Sequence, residues 1–171
     1  MNALVWVPTA IVVATMMDGW AALLHRFAWH GVLFPVHRSH HAPRGGRWEA
    51  NDALSLLHAP IAIALILYGC VGLPSLAREL AYGVGIGMSV FGVAYVIVHD
   101  GLVHGRLPVA GLARFRFFRA IARAHRVHHL GHRAGAPFGL FFGPWELARA
   151  SRSKRGARSH TEPAHDALAT A

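Results

Sequence analysis

The stretch Leu80–His104, LAYGVGIGMSVFGVAYVIVHDGLVH, joins an apolar segment directly to a pair of histidines. Its apolar part, Leu80–Val98, carries no charge and is long enough to cross a hydrocarbon core of about 30 Å as a helix. His99 and His104 follow without an intervening loop. Since neutral imidazole is the commonest metal ligand in proteins, the stretch predicts a membrane-spanning helix that leads into a metal site.

Two further segments are apolar over a similar length, Ala3–Leu24 and Ala53–Leu73. Hydrophobic residues make up 54% of the 171 residues, and the mean hydropathy is positive. These properties are typical of an integral membrane protein. No basic residue precedes Ala3–Leu24, so we expect a retained span and not a cleaved secretion signal. The sequence predicts an all-α membrane protein with three spans.

The pattern of a predicted span followed by histidine clusters occurs twice in the chain. Four clusters contain ten of the fourteen histidines: His25-x4-His30, His37-x2-His40-His41, His99-x4-His104 and His125-x2-His128-His129. Ten ligands exceed what one metal ion can hold, so the clusters predict two metal ions at a membrane face.

The basic residues predict the orientation. Of seventeen Lys and Arg residues, only Arg78 lies between the second and third spans, and none precedes the first. The positive-inside rule therefore places the N-terminus outside and the histidine clusters and C-terminus in the cytoplasm. The net charge of +9 could suggest nucleic acid. Topology and contact with anionic lipid explain the same charge, so we expect membrane lipid and no nucleic acid as partner.

Spacing gives different expectations for the two kinds of cluster. His37, His40 and His41 share one face of a helix, so we expect them to converge on one site. His25 and His30 are five residues apart, about 140° around a regular helix. They therefore either serve different metals or need a local distortion of the helix.

The remaining segments predict a helical cap over the spans. In Leu112–Leu130, the arginines follow one helical stripe and the histidines lie on the other side, which indicates an amphipathic helix along the cytoplasmic interface. Pro137–Glu146 is apolar but too short to span, so we expect a re-entrant or interfacial segment that closes the site. We expect one membrane domain over residues 1–150, a disordered basic and polar tail over 151–171, and surface exposure for His132.

One carboxylate and one histidine lie inside the predicted spans. Asp18 shares a helix face with His25, about 10 Å away. It can orient a histidine, line a substrate cavity, or make a polar contact between spans. His58 stands outside the clusters, and a lone histidine there is typical of a hydrogen-bonded core residue.

Other polar residues lie next to the clusters. Asp100 can orient a neighbouring imidazole, and Glu49 or Asp52 can do the same from the loop before the second span. Asn51 and Asp52 are interpreted most simply as helix N-caps.

A ligand set made only of neutral imidazoles leaves the positive charge of the metals uncompensated. Such a site favours hydroxide, oxide or dioxygen and suits oxidative chemistry better than a structural role. Affinity order does not select the metal, since copper and zinc bind imidazole at least as well as ferrous iron.

The segments HRFAWH, HRSHHAPRGGRWEAND, VHDGLVHGRLP and AHRVHH resemble the bacterial β-carotene hydroxylases, within the wider membrane fatty-acid hydroxylase group of di-iron proteins. The resemblance covers roughly residues 18–145. The histidine spacing is typical of the wider group, whereas HHxPR with WEAND, and VHDGLVH, indicate the narrower one. Ala42 and Gly45 depart from the pattern, because members often carry Glu and Lys there.

The resemblance implies that all ten cluster histidines bind two irons, with Asp18, Asp52 and Asp100 as outer-shell candidates. Two irons would activate dioxygen, insert one oxygen at carbon 3 of a carotenoid β-ionone ring, and release the other as water. Zinc could replace iron without changing the fold. The two electrons would come from a separate ferredoxin-type protein, and the location would be the bacterial inner membrane.

Two alternatives stay open. A hydroxylase or desaturase of fatty-acyl or other lipids would share the fold and metals but would need a narrow channel. A metal transporter would need polar groups throughout the spans, where only Asp18 and His58 are evident.

Overall fold

The computed structural model describes residues 1–42, 49–130 and 137–159, and all regular elements in these ranges are helical. Two α-helices continue directly into π-helices, and one element is a 3₁₀ helix. In chain order the elements are α1 (Ala3–Leu24), a first π-helix (His25–Val32), α2 (Phe34–His41), α3 (Asp52–Ser55), α4 (Ala59–Val71), α5 (Leu76–Tyr95), a second π-helix (Val96–Val103), a 3₁₀ helix (Ala110–Arg114), α6 (Arg116–Leu130) and α7 (Gly143–Ser159).

Three helical stretches are long and apolar enough to cross a membrane: Ala3–Val32, Asp52–Val71 and Leu76–Val103. They confirm the three predicted spans. The first and third are longer than expected because the π-helices extend them through the first histidine pair of each half. Large apolar side chains such as Leu4 and Val71 are 86% and 83% exposed on these helices. An apolar outer surface of this kind suits lipid and not water, so the chain is a membrane protein.

Helix α5 lies between α1 and α4 and packs against both. Its glycines permit this close approach. A Cβ atom at Gly83 or Gly87 would lie 2.6 Å from a backbone oxygen of α1, and one at Gly85 would lie 2.8 Å from the Ala62 oxygen of α4. The glycine-rich third span is therefore central, and the physical basis of its position is direct contact between helix backbones.

The second span is interrupted near its start. Helix α3 ends at Ser55, Leu56–His58 form a turn, and α4 begins at Ala59 with Pro60 in its first turn. Proline suits a helix start because it lacks the N–H group that an α-helix interior requires. The interruption places His58 at the edge of the bundle, where the Trp20 indole N–H donates to His58 Nε2 at 3.0 Å. The hydrogen bond expected of His58 is confirmed, but the residue is only half-buried and does not lie in the core.

The cap is formed by α2, α6 and α7. Helix α6 begins at Arg116, four residues after the expected start at Leu112, because Phe115 has an extended backbone. The α6 arginines are exposed, whereas Ile121 and His128 are 0% and 1% exposed, so the predicted amphipathic character is confirmed. Helix α7 runs through Ser159, beyond the predicted start of the tail at Ser151. His132 and residues 160–171 lie outside the described residues.

The glycine contacts predict a sharp difference between two substitutions on α5. Gly87→Ala places a Cβ against the Ala10 backbone oxygen and should destabilise the protein by about 1–3 kcal/mol. Gly92→Ala meets no atom within 4 Å and should keep or slightly raise stability, because alanine favours helix. Thermal unfolding of both variants in nanodiscs checks the difference, and equal effects would contradict the packing described.

Candidate metal centre

Five histidines from α1's π-helical extension, α2 and α6 form what we call the first group. Its members are His25, His30, His37, His41 and His128, and one nitrogen of each lies within 4.8 Å of the corresponding nitrogen of every other. The shortest approach joins His25 Nε2 and His37 Nε2 at 3.0 Å. His25, His37 and His128 are 4% exposed or less, so the group is shielded from solvent.

The second group is built in the same way around the other π-helix. His40, His99, His104 and His125 present nitrogens within 4.8 Å of one another. The Nε2 atom of His129 adjoins them, at 2.9 Å from His125 Nε2 and 3.2 Å from His40 Nε2. The two groups together contain all ten histidines of the four sequence clusters.

The π-helices explain how histidines five residues apart serve one group. His25 and His30 lie in the first π-helix, and the structure places both in the first group. A π-helix is closed by i→i+5 hydrogen bonds, so residues at this spacing lie nearly above one another. Of the two expectations for this pair, the local distortion is confirmed and service to different metals is wrong. His99 in the second π-helix and His104, the residue directly after it, repeat the arrangement, and the His104 N–H donates to the His99 carbonyl at 3.0 Å.

The H-x2-H-H motifs divide their histidines between the groups. His37 and His41 belong to the first group, but His40 points to the second. Conversely, His125 and His129 lie at the second group, and His128 belongs to the first. The expectation that His37, His40 and His41 converge on one site is therefore wrong. Each H-x2-H-H motif lies between the two groups. The middle histidine of the first motif, His40, belongs to the second group, and that of the second motif, His128, belongs to the first group.

Among the described residues, oxygen acceptors face Nδ1 of His25, His37, His40 and His99. His25 Nδ1 donates to the Phe138 carbonyl at 2.9 Å, and His37 Nδ1 to Asn51 Oδ1 at 2.7 Å. His40 Nδ1 lies 3.3 Å from Glu49 Oε2, and His99 Nδ1 lies 3.0 Å from Asp100 Oδ1. An acceptor at Nδ1 assigns the proton to that nitrogen, which leaves the lone pair on Nε2.

The donor set fits metal ions for this reason. Nε2 lone pairs held about 3 Å apart repel one another unless a cation lies between them. Five neutral imidazoles around each of two points therefore form a coherent site only for a positively charged group, and nitrogen-rich sites of this kind suit iron, copper or zinc. Because the residues fit, the ten histidines would hold two metal ions, one in each group.

Burial favours the neutral, metal-binding form of the cap histidines. Burial and neighbouring imidazoles lower the pKa of His128 from its ordinary 6.5 to about 2, and burial lowers the pKa of His129 to about 4. The pKa of His37 also falls to about 4 through burial, despite its bond to Asn51. These histidines are therefore unprotonated at neutral pH and available to a metal.

An arginine and three carboxylates stand behind the second group. Arg106 pairs with Glu49 at 2.9 Å and with Asp52 at 2.7 Å, and it lies 3.6 Å from Asp100. Glu49 and Asp100 contact His40 and His99 as expected from the sequence. Among the described residues, the Asp52 carboxylate instead contacts Arg106 and the Glu49 N–H. Asp52 thus acts on the histidines only through its neighbours. Sequence analysis assigned no role to Arg106, although it follows His104 by two residues.

The structure corrects the expected N-cap role of Asn51. Asn51 makes no side-chain bond as an N-cap of α3, and its side chain, in a residue 4% exposed, accepts from His37 instead. An amide oxygen satisfies a buried N–H equally well in either place, and only the tertiary fold brings His37 near Asn51.

Asp18 holds the segment before α7, and the described residues give it no contact with a histidine. Its carboxylate, in a residue 2% exposed, accepts the backbone N–H groups of Leu140, Phe141 and Phe142 at 2.8–3.2 Å. This anchors Phe138, whose carbonyl binds His25 and whose ring lies 5.5–5.7 Å from three first-group imidazoles. Asp18 therefore positions His25 indirectly, and the Pro137–Glu146 segment covers the first group as expected.

An apolar cavity of about 80 Å³ lies below the histidines, between α1, the start of the second span and α5. Two of its lining rings also touch the site: Trp29 lies against His25 and His37, and Tyr95 stacks on His99 with centroids 4.8 Å apart. Trp20 and His58 line its other side. Trp29 and Tyr95 therefore separate the cavity from the imidazoles, and the cavity lies one aromatic ring away from both histidine groups.

Two histidine groups at one end of the membrane helices, beside an apolar cavity, define a membrane protein with a candidate metal centre, and comparison with known proteins identifies its family. The fatty acid hydroxylase family matches residues 10–149. The chain belongs to this family. Among solved structures, none matches the chain.

Curated relatives carry a narrower description. "Beta-carotene hydroxylase" of Pseudescherichia vulneris is 37% identical over 154 residues, which cover 88% of this chain and 85% of that protein. "Beta-carotene 3-hydroxylase 1, chloroplastic" of Arabidopsis thaliana is 46% identical over 134 residues, 78% of this chain and 43% of the relative. "Beta-carotene hydroxylase 1, chloroplastic" of Capsicum annuum is 46% identical over 131 residues. The chain spans less than half the length of these plant relatives.

The histidine environment predicts acid sensitivity of the metal-free protein. The folded-state pKa of His37 and His129 is about 4, against 6.5 ordinarily, so the unfolded chain binds more protons between these values. The free energy of unfolding should have its full value above about pH 6.5 and should decrease as the pH falls toward 4. Denaturant unfolding of chelated protein at several pH values measures this. His37→Gln should weaken the dependence, and a flat profile in the parent chain would contradict it.

Proposed function

We propose that the chain is a membrane di-iron, dioxygen-dependent hydroxylase that acts on carbon 3 of the β-ionone ring of carotenoids. The reaction would take β-carotene to β-cryptoxanthin and zeaxanthin, or canthaxanthin to astaxanthin. The observation that carries the proposal is the apolar cavity that lies one aromatic ring away from both histidine groups. The names of the curated relatives support the same substrate class.

Two irons bound by the ten histidines would supply the activation of dioxygen. The protein itself would position the substrate and exclude water from the histidine groups. Phe138 covers the first group, and Trp29 and Tyr95 separate the imidazoles from the cavity. A carotenoid is apolar and dissolved in the bilayer, so its terminal ring can enter from between the spans and lie against these rings, next to both groups.

The electron source would be a separate ferredoxin-type protein that docks on α6. Four arginines on this helix, Arg116, Arg119, Arg123 and Arg126, are exposed. The opposite face of the same helix carries His125, His128 and His129. An acidic donor on the arginine face would therefore be one helix diameter from the metals, and complementary charge would favour its approach.

Charge reversal on α6 tests this partner. Arg123→Glu with Arg126→Glu should slow reduction by an acidic ferredoxin at least tenfold at low salt, since like charges then meet. Stopped-flow reduction of the iron-loaded protein measures the rate, and reduction by dithionite is the control that should not change. An unchanged ferredoxin rate would exclude this docking face.

The location follows the same proposal: the bacterial inner membrane, with the N-terminus outside and the histidine groups in the cytoplasm. The positive-inside distribution supports this orientation. The iron and the donor are then both on the cytoplasmic side.

Pigment analysis tests the reaction itself. Cells that already produce β-carotene should form zeaxanthin when they express the chain, and they should form none with a well-expressed His128→Ala variant, because the first group then loses a ligand. Liquid chromatography of extracted pigments measures both. Unchanged β-carotene beside a folded, metal-loaded parent protein would overturn the carotenoid assignment and favour an acyl-lipid substrate.

A further inference from the structure

The two histidine groups have the same number of imidazoles but different neighbours. In the second group, His40 and His99 donate from Nδ1 toward the carboxylates of Glu49 and Asp100. In the first group, His25 and His37 donate to neutral oxygens, the Phe138 carbonyl and the Asn51 amide. All four contacts are made at Nδ1, so the two groups differ in the charge of the acceptor and not in the ring nitrogen that is bound.

Two further first-group imidazoles have no anchor at this nitrogen. His30 Nδ1 and His128 Nδ1 are buried, and neither has a hydrogen-bond partner among the described residues. Their rings are therefore held by packing alone. Hydrogen bonds at Nδ1 fix the orientation of a ligating imidazole and raise its basicity, and their loss typically lowers metal affinity about 10–100-fold.

Arg106 makes the carboxylate support of the second group rigid. Its Nη2 atom lies 2.9 Å from Glu49 Oε1, while the other oxygen of that carboxylate faces His40. Its Nη1 atom lies 2.7 Å from Asp52 and 3.6 Å from the Asp100 oxygen that faces His99. One guanidinium thus holds in place both carboxylates that contact histidines. Its single positive charge is smaller than the negative charge of these two carboxylates.

We propose that the two metal positions are unequal, and that the carboxylate-supported second group holds its metal more tightly than the first. Glu49 and Asp100, fixed by Arg106, are the positioning residues responsible. A carboxylate at Nδ1 increases electron donation from Nε2 and adds negative charge near the cation. The neutral partners of the first group add no negative charge and increase this electron donation less. The inference rests on the proposed two-metal centre.

Metal release measures the difference without any substrate. The full chain in nanodiscs, loaded with two equivalents of iron, is mixed with excess EDTA, and metal retained per chain is measured over time by mass spectrometry. Release should occur in two phases of one metal each. Asp100→Asn, which keeps the shape of the side chain, should accelerate the slow phase about 10–100-fold and leave the fast phase unchanged.

A second variant tests the other group independently. Asn51→Asp introduces a carboxylate opposite His37 and should slow the fast phase, bringing the two phases together. Glu79→Gln is the matched control, because this carboxylate contacts the Asn2 N–H and no histidine among the described residues. It should change neither phase.

Three outcomes would overturn the inference. They are loss of both metals in a single phase from the parent chain, retention of fewer than two metals after loading, and acceleration of the fast phase alone by Asp100→Asn. If Asp100→Asn does not fold, Asn51→Asp decides the question. Pigment analysis is separate, since a chain that forms zeaxanthin but releases both metals together would keep the proposed function and lose this inference.

Discussion

Mutual repulsion among ten imidazole nitrogens is the constraint on which the rest of the structure depends. The histidines present Nε2 atoms to one another at about 3 Å, in buried positions where water cannot separate them. Such an arrangement is stable only around cations. The carbonyl, amide and carboxylate groups at Nδ1 serve the same end, because they assign the proton to the outer nitrogen and direct the lone pair inward.

The π-helices and the divided H-x2-H-H motifs are geometric solutions to this constraint. A regular helix would direct His25 and His30 to different sides, and the i→i+5 bonding of the first π-helix brings them to one group. The exchange of His40 and His128 then ties the two halves together. Neither group is complete without a residue from the other half of the chain, so the two sites can form only when the whole bundle has assembled.

The membrane helices have a different task, which is to bring the ends of the first and third spans together. Glycines on α5 allow α1 to approach to backbone contact, and this holds the first and third spans together. Asp18 extends the support from within the first span by binding the amides before α7. A buried carboxylate in a span is costly, and three backbone N–H groups offset that cost.

The sequence by itself determined the helical class, the three spans, the amphipathic α6 and all ten histidines that the structure brings together, because hydropathy and ligand type are local properties. It also anticipated the contact of Asp100 with His99, which are chain neighbours. Only the tertiary structure decided which histidines share a group, since that depends on π-helical backbone bonding and on the packing of α2 against α6's histidine face. It also decided the partners of Asp18, Asn51 and Arg106. These partners are Leu140, His37 and Asp52, and they are 122, 14 and 54 residues away in the sequence. Contacts over such separations are set by how the helices pack, and no local pattern encodes them.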